Sequence, residues 1–256
     1  MEKKVILISI DGMRPDGLKE CGNPYVSELE KKCLYTYNAR TMEPSSTFPC
    51  HYSMTHSVPP SRHGMLTNAY VPPVRPVTGL FEKIRKERGA CAMLYGWEIL
   101  RDIATPGALR YSCYIHMDMT PSVDTALTDE AIRIIDTRNP DFVFLYLGDT
   151  DDKGHSKGWM SEEYLRRISI AIDNVKRIFE LYSDRYSIII MSDHGGHDRL
   201  HGTTLPEDMI IPLFFYGSDY GIGETDRPLT LLDIAPTIVK TMGIEPDPEW
   251  EGTAIF

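Results

Sequence analysis

The chain has 256 residues, 42% hydrophobic and 25% charged, with a formal net charge of −10. This is the composition of a globular protein with a sizeable core. Its acidity excludes nonspecific nucleic-acid binding through a basic surface, and no apolar run is long enough to span a membrane. The five cysteines, Cys21, Cys33, Cys50, Cys91 and Cys113, are odd in number and form no C-x-x-C pair. The apolar run after the N-terminal lysines is short and stops at Asp11, so it reads as a strand and not as an export signal. Reduced thiols in a cytoplasmic protein are therefore expected.

Val5–Ile10 is a nearly continuous apolar run, the pattern of a strand buried on both faces, and ends in Asp11-Gly12. Pro15 and Gly17 mark a turn. Asn23 and Pro24 cap and open a helix over Tyr25–Lys32, and Tyr35–Arg40 is a short strand. The hydroxyl-rich Glu43–Thr47 turn leads into a helix, with Ser46 or Thr47 near its N-cap, that stops before Pro59-Pro60. Residues 61–77 read as loop, Thr78–Arg88 as helix and Ala90–Tyr95 as strand. Gly96–Ser122 has no clear period and suits a cap or pocket wall.

Ser122 caps a helix to about Arg138. Asp141–Leu147 is a second strongly apolar strand and ends in Gly148-Asp149-Thr150-Asp151-Asp152. Ser161–Tyr182 carries the clearest helical stripe, with Glu162 and Glu163 in its first turn. Tyr186–Met191 is a buried strand that runs into Ser192-Asp193-His194-Gly195-Gly196, with His197 and His201 beyond. Ile211–Tyr216 is a strand, and Leu231–Met242 is a helix in which Pro236 implies a kink or a later start. Strands alternating with helices predict an α/β fold: a doubly wound, mostly parallel sheet with helices on both faces. Residues 1–256 read as a single α/β domain with a loop-rich, cap-like region around 59–120.

Three of these strands end in aspartates, at Asp11, at Asp149/Asp151/Asp152 and at Asp193. Ligands bind at the carboxyl ends of strands in open α/β sheets. One Asp after a strand is ordinarily a turn residue; three carboxylates brought to one edge repel each other unless cations neutralise them. Asp151 and His155 are four apart and can converge on one ion. Thr47, at a helix N-terminus, stands where unpaired N–H groups suit a phosphoryl oxygen, and a divalent ion at its hydroxyl would make it a nucleophile. His51, His56 and His63 read as hydrogen-bonding residues of helix or loop. Tyr70, Trp97 and Tyr114 are candidates for stacking on an aromatic group, although packing is the commoner use of such residues.

Asp11-Gly12, Ser46-Thr47-Phe48-Pro49 with His51-Tyr52-Ser53, Arg62-His63-Gly64-Met65 with Asn68, Asp151-x-x-Gly-His155, Ser192-Asp193-His194-Gly195 and His201-Gly202 follow one another in this order. In that order the chain, from residue 8 to about 217, resembles the type I phosphodiesterases/nucleotide pyrophosphatases of the alkaline phosphatase superfamily. The resemblance implies an alkaline phosphatase-like fold and two divalent metal ions, usually zinc, with manganese acceptable to the same Asp/His donors. It implies that Asp11, Thr47, Asp193 and His194 hold one ion, and that Asp151, His155 and His201 hold the other, with His197 as the alternative to His201. Asn68 and the backbone N–H after Thr47 would bind a phosphoryl oxygen, and Tyr70 would line the substrate site. Two dications against three aspartates leave a positive centre in an acidic protein.

The implied activity is hydrolysis of phosphodiesters in small substrates, nucleotides among them, through a phosphothreonine. A phosphomonoesterase or phosphonate hydrolase, and a non-catalytic scaffold that binds a metal or phosphorylated ligand, are the alternatives. The chain departs from the pattern at Asp149-Thr150, where many members carry Glu-Pro, and at Cys50, where Asn is common. It has no C-x-P-x-R, which argues against a sulfatase, and is too compact for the large inserted domain of cofactor-independent phosphoglycerate mutases.

Overall fold

A computed structural model describes residues 3–87, 89–116 and 119–256. Its centre is an eight-stranded sheet of order β4-β3-β5-β1-β6-β7-β2-β8. The strands are β1 Lys4–Ile10, β2 Leu34–Arg40, β3 Cys91–Tyr95, β4 Tyr111–Tyr114, β5 Phe142–Leu147, β6 Tyr186–Met191, β7 Ile210–Tyr216 and β8 Gly223–Glu224. β4, β3, β5, β1 and β6 run parallel, whereas β7 is antiparallel to both β6 and β2. The sheet is thus mostly parallel, as expected, and is interrupted by one reversed strand, β7, between β6 and β2.

Side-chain alternation divides the core. Val5 and Leu7 point to one face with Phe144, Ile189 and Met191. Ile6, Ile8 and Ile10 point to the other with Val143, Leu145 and Ile190. Each of these residues is completely or almost completely buried, which accounts for the unbroken apolar runs. The first face is covered by α3 (Thr47–His56), α5 (Leu80–Glu87) and α10 (Ile234–Thr241), and a single helical turn, α9 (Pro206–Met209), leads into β7. The second is covered by α2 (Tyr25–Lys32), α6 (Val123–Arg138) and α8 (Glu162–Tyr182). Ser161 caps α8 by accepting from the Tyr164 N–H at 3.3 Å.

Register places the site. Ile10 pairs with Leu147, and Ser9 with Met191. The carboxyl ends of β1, β5 and β6 therefore align, and Asp11, the Gly148–Asp152 segment and Asp193 leave the sheet at one edge.

Several local readings shift. Pro15–Glu20 is a short helix, α1, and not only a turn; Pro60–His63 forms a single helical turn, α4. The acidic segment after β5 is helix α7, Asp149–Lys157. Asn23 caps through its Oδ1, which accepts from the Tyr25 N–H at 2.9 Å, and the regular helix begins at Tyr25. Pro236 sits in the first turn of α10, where its missing N–H costs no bond; a 3-10 turn at Leu231–Asp233 precedes it. Residues 96–122 hold a 3-10 helix at Glu98–Ile103 and edge strand β4. Arg88, Met117 and Asp118, inside segments read above, lie outside the described residues. Among the described residues no helix is long and apolar enough to cross a membrane.

Candidate functional site

Thr47 is the first residue of α3, all ten residues of which are buried. Its Oγ1 lies 3.0 Å from His194 Nε2. The His194 Nδ1 lies 2.7 Å from the Gly195 carbonyl. A carbonyl only accepts, so Nδ1 carries the ring proton and Nε2 presents a bare lone pair. That nitrogen is 3.3 Å from Asp11 Oδ1 and 3.4 Å from Asp193 Oδ2. The ligand atoms of Asp11, Asp193 and His194 all fall within 4.8 Å of one another, and all three residues are buried.

Each carboxylate is anchored through one oxygen. Asp11 Oδ2 accepts from the Tyr146 hydroxyl, and Asp193 Oδ1 from the Gly12 N–H at 3.2 Å. The other oxygens, Asp11 Oδ1 and Asp193 Oδ2, are buried and have no hydrogen-bond partner among the described residues. Burying an unpaired carboxylate costs several kcal/mol, roughly, even after relaxation. Burial first, and the nearby Asp11 carboxylate second, push the Asp193 carboxyl well above its ordinary pKa.

The second cluster is Asp151, His155 and His201, again within 4.8 Å of one another. Asp151 and His155 come from successive turns of α7, as their spacing predicts. His155 Nδ1 is 3.0 Å from the Arg199 carbonyl, and His201 Nδ1 is 2.9 Å from the Ser45 carbonyl. Both Nε2 atoms are therefore bare, yet they face each other at 3.1 Å. Two lone pairs cannot bond; a proton or cation between them can. Asp151 Oδ1 is another buried oxygen without a partner, and burial and Asp11 raise its carboxyl well above the usual range. The His194 and His201 rings stack at 3.9 Å, so the clusters adjoin. Uncompensated carboxylate oxygens beside outward-facing imidazole lone pairs are the donor set of a divalent cation centre, and the residues fit that group.

His197 stands apart from both clusters. Its Nδ1 is 2.8 Å from Asp208 Oδ1, and Asp208 Oδ2 accepts from the Thr203 N–H and hydroxyl. This pins the loop that carries His201. Asp149 is also absent from both groups: its Oδ2 accepts from Ser122 Oγ at 2.9 Å and Arg167 Nη1 at 3.1 Å. Asp152 pairs with Lys153.

Asn68 Oδ1 accepts the Phe48 N–H at 3.0 Å. The N–H expected to meet a phosphoryl oxygen is thus engaged by Asn68 itself, an arrangement that directs the Asn68 amide donors away from it. Tyr70 is 43% exposed, with its ring edge-on to Phe48 at 6.4 Å. Trp97 packs against the core, and Tyr114 lies against Tyr95 with ring centroids at 5.4 Å.

The three histidines read as hydrogen bonders make such bonds. His51 lies between the Ser9 hydroxyl and the Thr47 carbonyl, and burial lowers its pKa to about 4. His63 takes the Met65 N–H on Nδ1 and meets Ser53 Oγ at 2.8 Å, and His56 Nδ1 lies 3.1 Å from the Tyr52 carbonyl while its ring stacks on Tyr52 at 3.8 Å. Cys50 is fully buried, its thiol pushed up to about 12 chiefly by burial, which keeps it protonated.

Tyr146 and Trp159 were not identified from the sequence. Tyr146 fixes Asp11, and Trp159 contacts both histidines of the second cluster. A trace of Trp159 exists in the glycines. A Cβ on Gly154 or Gly196 would lie 2.6 or 2.2 Å from the Trp159 ring. Gly195 and Gly196 are required for such close approach and not for positive φ: a Gly195 Cβ would lie 2.0 Å from the Glu207 carbonyl oxygen. Gly12 is needed on both counts, with φ +66° and Asp151 Oδ1 3.0 Å from its Cβ position.

Known proteins resemble this chain in sequence and in fold. The type I phosphodiesterase / nucleotide pyrophosphatase profile matches residues 5–104, and the metalloenzyme superfamily profile matches residues 111–246. Ectonucleotide pyrophosphatase/phosphodiesterase family member 1 of Mus musculus is 26% identical over 220 residues, 74% of this chain and 24% of that protein. The Mus musculus bis(5'-adenosyl)-triphosphatase enpp4 is 23% identical over 222 residues, 75% of this chain and 47% of that protein. The chain thus spans between a quarter and a half of these relatives' length. Murine ectonucleotide pyrophosphatase/phosphodiesterase 5, an inactive variant in complex with AMP, superposes with a TM-score of 0.81 at 14% identity, covering 96% of each chain. The phosphonate monoester hydrolase of Silicibacter pomeroyi superposes with 0.77 at 14% identity, over 99% of this chain and 76% of that one. These superpositions establish the alkaline phosphatase-like α/β fold.

Proposed function

This chain belongs to the metalloenzyme superfamily, and on that premise we propose that it is a two-metal hydrolase of phosphodiesters in small substrates, nucleotides among them. The observation that carries the reading is the Thr47 hydroxyl, 3.0 Å from the bare nitrogen of His194 and next to two partnerless carboxylate oxygens. Asp11, Thr47, Asp193 and His194 would hold one ion, and Asp151, His155 and His201 the other; zinc suits both donor sets and manganese is acceptable to them. When bound, the ions supply Lewis-acid charge that favours an ionised Thr47 hydroxyl and offsets charge on the phosphoryl and leaving oxygens.

The chain's own residues do the rest. The helix start aims Thr47 Oγ1 at the centre, 3.0 Å from His194 Nε2, whose lone pair takes the Thr47 hydrogen bond in the metal-free site and would go to the ion when one is bound. Oγ1 gives up its proton and bonds to phosphorus, the bond from phosphorus to the leaving oxygen breaks, that oxygen takes up a proton and departs as the alcohol, and a phosphothreonine forms at Thr47. Water then attacks phosphorus, the phosphorus–Oγ1 bond breaks, a proton from the water returns to Oγ1, and the phosphate monoester leaves. The Phe48 N–H holds Asn68 Oδ1, so Asn68 presents its amide protons to a phosphoryl oxygen and the backbone N–H acts through it.

Hydrolysis of a bis-aryl phosphate compared with the mono-aryl phosphate tests the substrate class. The expected result is a higher kcat/KM for the diester; a preference for the monoester overturns the diester reading.

The Asn68 arrangement makes a separate prediction. Asn68→Ala removes the amide donors and should cost about 10–100-fold in kcat/KM, the scale of one lost donor or less. Asn68→Asp keeps the Phe48 bond but places a negative charge against the phosphoryl group, and should cost more than alanine. Steady-state kinetics of the two variants check this, and an aspartate variant as active as the alanine one speaks against it.

A further inference from the structure

We propose that Trp159 is a positioning residue that sets the spacing between the two ligand clusters; the inference rests on the two-ion reading above. Trp159 is 7% exposed and follows helix α7. Its indole N–H donates to the Gly12 carbonyl at 2.9 Å, next to Asp11. Its ring meets His155 edge-on at 5.1 Å and His201 at 5.9 Å. The backbones of Gly154, one residue before His155, and Gly196, between His194 and His201, lie against the same ring atoms. Its own N–H donates to the Asp198 carbonyl at 2.8 Å, tying it to the loop that delivers His201. One rigid side chain therefore touches the turn after β1, helix α7 and the loop after β6, the segments that supply every ligand candidate except Thr47.

The two clusters depend on it unequally. The Gly12 carbonyl also accepts from the Tyr164 hydroxyl at 2.8 Å, so the turn after Asp11 keeps an anchor when the indole is lost. His155 and His201 each have a backbone carbonyl at Nδ1, and His201 also stacks on His194, but the indole is the side chain that touches both rings and fixes where their Nε2 atoms meet.

The test measures zinc stoichiometry and affinity, by elemental analysis and chelator competition, on the full chain as wild type, Trp159→Leu and Trp159→Phe. The wild type should bind two ions. Trp159→Leu should bind the second at least about tenfold more weakly, the scale of a lost orienting contact, with the first changed less. Trp159→Phe, which keeps a flat ring, should recover most of that loss. Zinc added to the apo wild type should change tryptophan emission at the weaker equivalent, and Trp159→Phe should remove that change although Trp97 and Trp250 remain. Folded Trp159→Leu with both affinities at wild-type values overturns the proposal. If the leucine variant does not fold, the phenylalanine variant decides: second-ion binding weakened about threefold supports the proposal, and wild-type binding overturns it. A wild type that takes up fewer than two ions overturns the two-ion reading instead.

Discussion

Thr47→Ala is expected to lower kcat/KM for a bis-aryl phosphate by at least about 10³-fold, the scale on which enzymes lose rate when the nucleophile is deleted. The substitution removes one hydroxyl and one methyl from a site that is 4% exposed, and among the described residues the side-chain hydrogen bond given up is the one to His194. The remaining ligand candidates, Asp11, Asp193 and His194 on one side and Asp151, His155 and His201 on the other, are untouched. Metal content and thermal midpoint should therefore stay near wild type while turnover collapses. Thr47→Ser keeps the hydroxyl and should retain a measurable fraction of the activity. The assay needs the metal-loaded protein and stopped-time product analysis. An alanine variant within about tenfold of wild type would sink the phosphothreonine route. An inactive wild type that still binds metal and phosphate would favour a binding scaffold.

The second large effect is a reversal of sign at Asp193. In metal-free protein, Asp193 Oδ2 is buried without a partner, 3.4 Å from the lone pair of His194 Nε2, with Asp11 adjacent. Asp193→Asn retains an oxygen for the Gly12 N–H and offers His194 a donor in place of a charge. The apo variant should therefore be more stable than apo wild type, by about 1–3 kcal/mol, or roughly 2–10 °C in midpoint for a chain of this size. With zinc the order should invert. Wild type gains about 4 kcal/mol per ion at a thousandfold excess over Kd, and the variant gains much less at the first cluster. Thermal unfolding of both proteins, with chelator and with zinc at neutral pH, gives the four midpoints. An asparagine variant less stable than wild type in both conditions shows that the Asp193 charge is not strained without a cation, and the argument from unpaired oxygens then fails.

The same oxygens explain how much of the centre was legible in the sequence. Asp11, Asp151 and Asp193 were readable because each follows a strand whose apolar run is unmistakable, and parallel strands discharge at one edge. Asp151 and His155 were readable because both sit on one helix, where a spacing of four is a contact. The Ser161 cap and the stripe of α8 were readable for the same local reason.

What was not readable is what depends on segments far apart in the chain. His197 and His201 lie in the same loop, and only the packing of that loop shows His201 against His155 and His197 against Asp208. Asp149 stands two residues from Asp151, yet Ser122 and Arg167 draw it away from the clusters. Asn68 lies 20 residues from Phe48, and nothing in either segment says that they bond to each other. Gly195 and Gly196 suggest a flexible turn, whereas their cause is a carbonyl at Glu207 and an indole at Trp159.

The sequence by itself therefore determined the α/β layering, the edge of the sheet that carries the chemistry and the residue types gathered there. Those features follow from periods of two and 3.6 and from strand ends, which are properties of a few neighbouring residues. Only the tertiary structure decided which nitrogen lone pairs face each other, which carboxylate oxygens go without partners and which aromatic ring holds them in place. Those are distances between residues tens to nearly two hundred positions apart, set by the register of β1 against β5 and β6 and by the packing of loops over that edge.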